Sequence, residues 1–164
     1  MPTMEEYAKQ PREQRLQRLT RTADELAAAI KGQGDAVLSR RPDAKNWAAK
    51  EVVCHLRDVE EMFGGRFEQI LAMDVDPRLG GPNPDRVAEE RQYLRNDAAD
   101  AVGAFRRRRQ ETLEVFGKLT AAQWDKGGIH PVRGRVTLDH FLSLMAWHDD
   151  NHLDQIKRAL EGKA

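Results

Sequence analysis

Apolar residues recur along most of this chain at steps of three and four. That is the period of helices packed through one face, and strand-like alternation is almost absent. A first helix is predicted from about Arg12 to Lys31, with Leu16, Leu19, Ala23, Leu26 and Ile30 facing inward and Gly32 and Gly34 ending it. A connection through Pro42 leads to a second helix, about Trp47 to Met73, which Asn46 can cap. Its inward set reads Val52, Leu56, Val59, Phe63, Phe67 and Ile70. Gly64 and Gly65 interrupt it without ending it, permitting a close helix approach or a slight kink. Asp74 to Pro84, rich in proline and glycine, reads as a loop.

The third helix is expected to start at about Asp85 or Asp97 and to run to Leu119, with Ala98, Val102, Phe105, Thr112, Phe116 and Leu119 at helical spacing. Thr120 can cap a short turn that includes Trp124. Gly127 to Val136 is expected to be an irregular crossing loop. Thr137 then caps the last helix, with Asp139 in its first turn. Its inward stripe is Leu138, Phe141, Met145, His148, His152, Gln155 and Ala159. Amphipathic helices of this number and length, two of them joined by long connections, predict an all-α four-helix bundle with 1–164 as a single domain.

The last stripe carries the chemistry. His148 and His152 are one helical turn apart on a face where leucine would be expected. His55 lies three residues after Val52 and four before Val59, so it borders the inward face of the second helix. A single histidine on an apolar face is most often a core residue with a satisfied hydrogen bond. Three on two helices are different, because burying three imidazoles without a common partner is costly. If the two helices pack together, the imidazoles can converge on one divalent metal. Three imidazoles with no evident fourth protein ligand describe an open site, which suits chemistry better than a structural role. Zinc is the default ion, and nickel, iron or manganese also suit imidazole. Asp58, Asp149 and Asp150 stand close in sequence as candidates for a supporting carboxylate or a base, with Asp58 and Asp149 foremost, against the ordinary reading of solvated helix acids. His130, in a Gly- and Pro-rich loop, and His140, in the first turn of the last helix, fall outside the ligand set, although His130 can line a pocket mouth.

Composition narrows the partners. Lys plus Arg and Asp plus Glu number 27 each, so no global field favours nucleic acid or an acidic membrane. The run Arg106 to Arg109 cannot form one patch, because consecutive helical residues point about 100° apart. Arg109 falls near the inward stripe, where a helix-to-helix ion pair is the simpler reading and a substrate anion the alternative. Cys54 is the only cysteine. It precludes an internal disulfide, suits a reducing cytoplasm, and reads as a buried inert thiol. Trp47, Trp124 and Trp147 read as core and rim packing, and Trp147 can also shape a pocket. No stretch reaches the roughly 20 apolar residues of a membrane span. A cytoplasmic protein acting on a small molecule is expected.

Trp47 leading into a helix with His55 eight residues on, and the closing pattern Thr137-Leu138 … His148-x-x-x-His152-x-x-Gln155-Ile156, resemble the DinB/YfiT-like metal-binding superfamily. The resemblance spans nearly the whole chain, and its specific elements are the histidines. It implies an up-down-down-up four-helix bundle, a divalent metal held by His55, His148 and His152, and a homodimer. Members of that family include thiol S-transferases using bacillithiol and mycothiol-dependent maleylpyruvate isomerases, so a low-molecular-weight thiol is a candidate cofactor. The resulting expectation is a metal-dependent enzyme that activates a thiol or water for transfer or hydrolysis on a small electrophile. A non-catalytic, stress-related metal-binding module on the same bundle is the alternative.

Overall fold

The computed structural model describes residues 1–164. Four long helices dominate: α2 (Arg12–Ile30), α4 (Ala49–Ala72), α6 (Ala98–Gly117) and α8 (Leu138–Leu160), with short α1 (Met4–Lys9), α3 (Asp35–Leu38), α5 (Pro84–Glu90) and α7 (Ala121–Trp124) in the connections. Each of α2 and α4 packs on both α6 and α8. Side-chain pairs fix the directions. Asp24 meets Arg106 while Leu19 meets Arg109, so α2 and α6 are antiparallel. Arg15 meets Asp139 and Thr22 meets Asp149, so α2 and α8 run together. Glu60 meets Arg109 and Phe67 meets Phe116, so α4 and α6 run together. The layout is therefore up-down-down-up, as expected.

Several local expectations are corrected. Asn46 does not cap α4: its amide bonds the Asp43 carboxylate in a turn of its own. The helix is closed instead by Glu51, whose carboxylate reaches back to the Ala48 N–H at 2.9 Å while pairing with Arg41. Gly64 and Gly65 neither break α4 nor admit a close neighbour, since nothing lies within 4 Å of a Cβ built at either. The two alternative starts of the third helix are both used, separately. Asn83 caps α5 and Asp97 caps α6, with Gln92 in left-handed backbone (φ 50°) and a 3₁₀ turn at Tyr93–Arg95 between them. The region expected to be an irregular loop is a hairpin, β1 (Gly127–His130) against β2 (Gly134–Thr137), with Gly127 opposite Thr137. Gly127 is needed there, because a Cβ would stand 2.5 Å from the Val136 carbonyl oxygen. Helix α1 was not anticipated. Six residues with one apolar anchor, Tyr7, carry no readable period, yet Thr3 and Glu6 cap it reciprocally and the Tyr7 hydroxyl donates to Asp150. Thr120 and Thr137 do cap α7 and α8 as expected.

The core is split. One apolar cluster holds Leu26, Val52, Phe105 and Ile156; a second holds Leu19, Phe63, Phe116 and Met145. At the level between them each long helix contributes a polar side chain: Thr22, Glu60, Arg109 and Asp149. Arg109 grips Glu60 in two parallel bonds of 2.9 and 2.8 Å and Asp149 in two of 2.7 and 3.0 Å, and it also donates to the Leu19 carbonyl at 3.0 Å. The Thr22 hydroxyl donates to Asp149 at 2.5 Å. The expected helix-to-helix ion pair of Arg109 is thus present, and it joins α6 to all three other long helices.

Two outcomes follow from this packing. Arg109→Ala strands two buried carboxylates and should cost about 3–5 kcal/mol in chemical denaturation, whereas the triple change Glu60→Leu, Arg109→Met, Asp149→Leu should cost much less. Asp139 is held below its ordinary value near 3.8: burial opposes ionisation, but hydrogen bonds and charge from Arg15 and Arg12 outweigh it. A carboxyl lowered in the folded state stabilises above its unfolded pKa, and that contribution fades as pH falls through the folded value. Melting temperatures of Asp139→Asn and the parent protein should therefore differ at neutral pH and converge as pH falls through the lowered folded-state value.

Candidate metal centre

The register of α8 is set at its start, where the Thr137 side chain accepts from the His140 N–H and His140 Nδ1 accepts from the Thr137 N–H. From there, successive residues turn about 100°. Asp149 enters the polar layer, while His148 and His152 turn toward α4 and meet His55. The three ring centroids lie 4.3 to 5.5 Å apart, and one nitrogen from each can be chosen so that all lie within 4.8 Å of one another.

These imidazoles fit a cation. His148 Nε2 and His152 Nε2 face each other at 3.1 Å. Tetrahedral sites with metal–nitrogen bonds of about 2.0–2.1 Å have ligand edges of about 3.3 Å, so this pair is nearly at bonding separation. Gln155 Oε1 lies 2.8 Å from His152 Nδ1 and can only accept there. The proton of His152 is thereby on Nδ1, and Nε2 is left as a bare lone pair aimed at the centre. No protein group hydrogen-bonds His55, whose ring lies 5.0 Å from that of Trp47. Burial pushes His55 down to about 3, with the nearby His152 adding to the effect and Asp58 opposing it. Burial likewise lowers His148 strongly, helped by His152 and His55, and lowers His152 against the opposing influence of Gln155 and Asp149. All three are neutral at physiological pH, the form that binds metal.

The carboxylates are placed differently. Asp149, adjacent to His148 in sequence, has both oxygens taken by Arg109. Asp150 bonds Tyr7 and Arg18. Asp58 does reach the open side of the site: it accepts from the Tyr93 hydroxyl at 2.6 Å, from Arg57 at 2.8 Å and from Arg91 at 3.0 Å. Burial opposes its ionisation, but the Arg57 and Tyr93 hydrogen bonds and the charges of Arg57 and Arg91 hold its carboxyl below the usual range. Tyr93 is pushed up in turn by burial and by Asp58, and so keeps its proton.

Two clefts open at His55. The larger, about 430 Å³, is walled by Asp58, Val59, Met62, Val87 and Tyr93; the smaller, about 350 Å³, by Lys45, Trp47, Asp85, His152 and Gln155. Pro84, at the start of α5, borders both. Tyr93 and Arg91 escape sequence reasoning because the strained turn at Gln92 has no periodic signal. His130 and His140 lie away from the triad, in the hairpin and in the α8 cap. Cys54 is fully buried against the Tyr93 carbonyl, and burial pushes its thiol up to about 11, which leaves it inert.

The profile of the DinB superfamily matches residues 18–156. Among curated relatives, Uncharacterized protein YuaE of Bacillus subtilis is 24% identical over 149 residues, spanning 80% of this chain and 88% of its own. Putative metal-dependent hydrolase OB0413 of Oceanobacillus iheyensis is 19% identical over 153 residues, spanning 91% and 85%. The solved structure of YfiT from Bacillus subtilis, described as a probable metal-dependent hydrolase with an unusual four-helix bundle topology, superposes with a TM-score of 0.86 at 21% identity, covering 95% of this chain and 90% of that one.

Elemental analysis should find close to one divalent ion per chain and none in His148→Ala. Gln155→Leu leaves the ligands but frees the His152 tautomer, and should weaken metal affinity about 10–100-fold in competition with a chelator. Unchanged affinity would mean that Gln155 does not orient the ring.

Proposed function

The chain belongs to the DinB superfamily, and on that footing we propose that it is a metal-dependent enzyme acting on a small electrophilic molecule, by hydrolysis or by transfer to a low-molecular-weight thiol. The observation that carries this reading is the histidine triad with no fourth protein ligand, open to two clefts. His55, His148 and His152 would hold the ion, with zinc the first choice and nickel, iron or manganese the alternatives. A divalent ion bound by three imidazoles supplies a Lewis acid that lowers the pKa of a water or thiol in its open position and polarises a carbonyl.

The chain's own groups do the rest. Asp58, kept ionised by Arg57 and Arg91, is better suited to anchoring than to accepting a proton at neutral pH. It fixes the Tyr93 hydroxyl at the cleft wall, where the ring can bear on a substrate's apolar body. Asp149 would act through position, locking α8 to Arg109 so that His148 and His152 keep their angle to α4. Trp47 closes the smaller cleft against His55 and limits water there. A homodimer in the cytoplasm is proposed with this function.

The test is turnover. Protein loaded in turn with zinc, nickel and manganese should hydrolyse activated esters or couple small thiols to electrophiles such as chlorodinitrobenzene. His55→Ala should abolish the rate, and Tyr93→Phe should lower it by about tenfold or less, the size expected of one lost hydrogen bond. Stoichiometric metal without turnover in either assay would instead mark a binding module.

A further inference from the structure

The wall of the larger cleft carries three carboxylates, Asp58, Glu61 and Glu90, and one guanidinium, Arg91. Taken alone, that lining would favour a cation. Each carboxylate, however, has an arginine of its own that does not line the cleft. Glu61 pairs with Arg108 at 3.1 Å and Glu90 with Arg86 at 2.6 Å, and both glutamates are more than half exposed at the rim. Asp58 lies deeper. It takes Arg57 Nε on Oδ1 at 2.8 Å and the Tyr93 hydroxyl on Oδ2 at 2.6 Å. Arg57 is fixed in turn by the Asn96 side chain at 2.9 Å and lies over the Tyr93 ring. The other two acids of α5, Asp85 and Glu89, are not on this wall.

Arg91 is the charge left over. The three carboxylates meet four guanidiniums, and Arg91 alone of the four stands on the cleft wall. It makes a single polar contact, Nη1 to Asp58 Oδ1 at 3.0 Å, on the oxygen that Arg57 already occupies, and its side chain is more than half exposed. A guanidinium has five N–H donors, so Asp58 steadies this one and leaves most of its donors unfilled. The Tyr93 hydroxyl beside it has spent its proton on Asp58. A guanidinium with open donors, next to the apolar side chains of Val59, Met62 and Val87, suits an oxyanion carried on an apolar body. Its height is set by α4: Asp58 follows His55 by three residues, a rise of about 4.5 Å.

We propose that Arg91, held by Asp58, is the oxyanion-binding residue of the larger cleft, so that the substrate is a compact molecule bearing a carboxylate or phosphate about one helical turn from its reacting group. This rests on the larger cleft being the substrate site of the histidine centre. Arg91 takes the anion, Val59, Met62 and Val87 take the apolar part, and the reacting group is presented at His55.

NMR titration with hexanoate, hexyl phosphate, neutral 1-hexanol and hexylamine, a cation at neutral pH, tests it. The proteins are wild type loaded with zinc, wild type stripped by a chelator, Arg91→Met and Arg91→Lys. At least one anion should bind about fivefold or more tightly than both the alcohol and the amine, with zinc and without it. The methyl signals of Met62 and Val87 should move as it binds, and the tighter anion identifies the headgroup. The preference should collapse in Arg91→Met, where Asp58 keeps Arg57 and Tyr93, and return in part in Arg91→Lys. The wild-type comparison needs no variant to fold. Equal affinity for anion and alcohol would overturn the subsite, as would tighter binding of the amine, which would mean that the three carboxylates dominate. A preference that needs zinc but survives Arg91→Met would place the anion on the metal, overturning the subsite while sparing the metal reading. An Arg91-dependent preference in protein that takes up no ion would do the reverse.

Discussion

One guanidinium holds this bundle in register. Arg109 sits between two apolar clusters and bonds a side chain or carbonyl on each of the other long helices. Apolar contacts are tolerant of small slides and rotations, whereas a pair of parallel N–H···O bonds is not. The polar layer thus adds little net stability over a well-packed apolar one. Its effect is on geometry: it fixes the height and rotation of α4 and α8 relative to each other, and those two helices carry the histidines.

The layer also shapes the electrostatics of the site. It sets two carboxylates, Glu60 and Asp149, against one guanidinium. Three neutral imidazoles lie beside it on α4 and α8. Desolvation keeps protons off the rings, and the neighbouring carboxylates soften the cost of a positive ion in the gap. Stability and the candidate metal centre draw on the same few buried charges.

The long helices, their inward faces and the histidine triad were legible in the sequence because each is written as a repeating period over many residues. Arg109 was legible too, from its place near an apolar stripe. The missed features are local or long-range. Helix α1 rests on one tyrosine and a capping box, and the α4 cap is a glutamate reaching backward, where Asn46 looked the better candidate. The hairpin depends on Gly127 and Gly128 clearing Val136 and Leu79, contacts no linear pattern announces. Tyr93 and Arg91 reach Asp58 only because Gln92 adopts left-handed backbone, and the bundle must hold that strain, of order 1 kcal/mol.

The phase of α8 ties these threads together. Because His148 and Asp149 are adjacent, one helix delivers an imidazole to the triad and an anchor to the core through a single 100° step. Inserting or deleting one residue between Thr137 and Trp147 would misplace both at once, so this stretch of chain has a fixed length. The 73–97 connection, outside the long helices, is not bound by that phase, and it builds a wall of the larger cleft. The fold therefore separates two kinds of boundary: one wall of the cleft lies on a connection, while the histidine triad lies on two helices whose phase is locked.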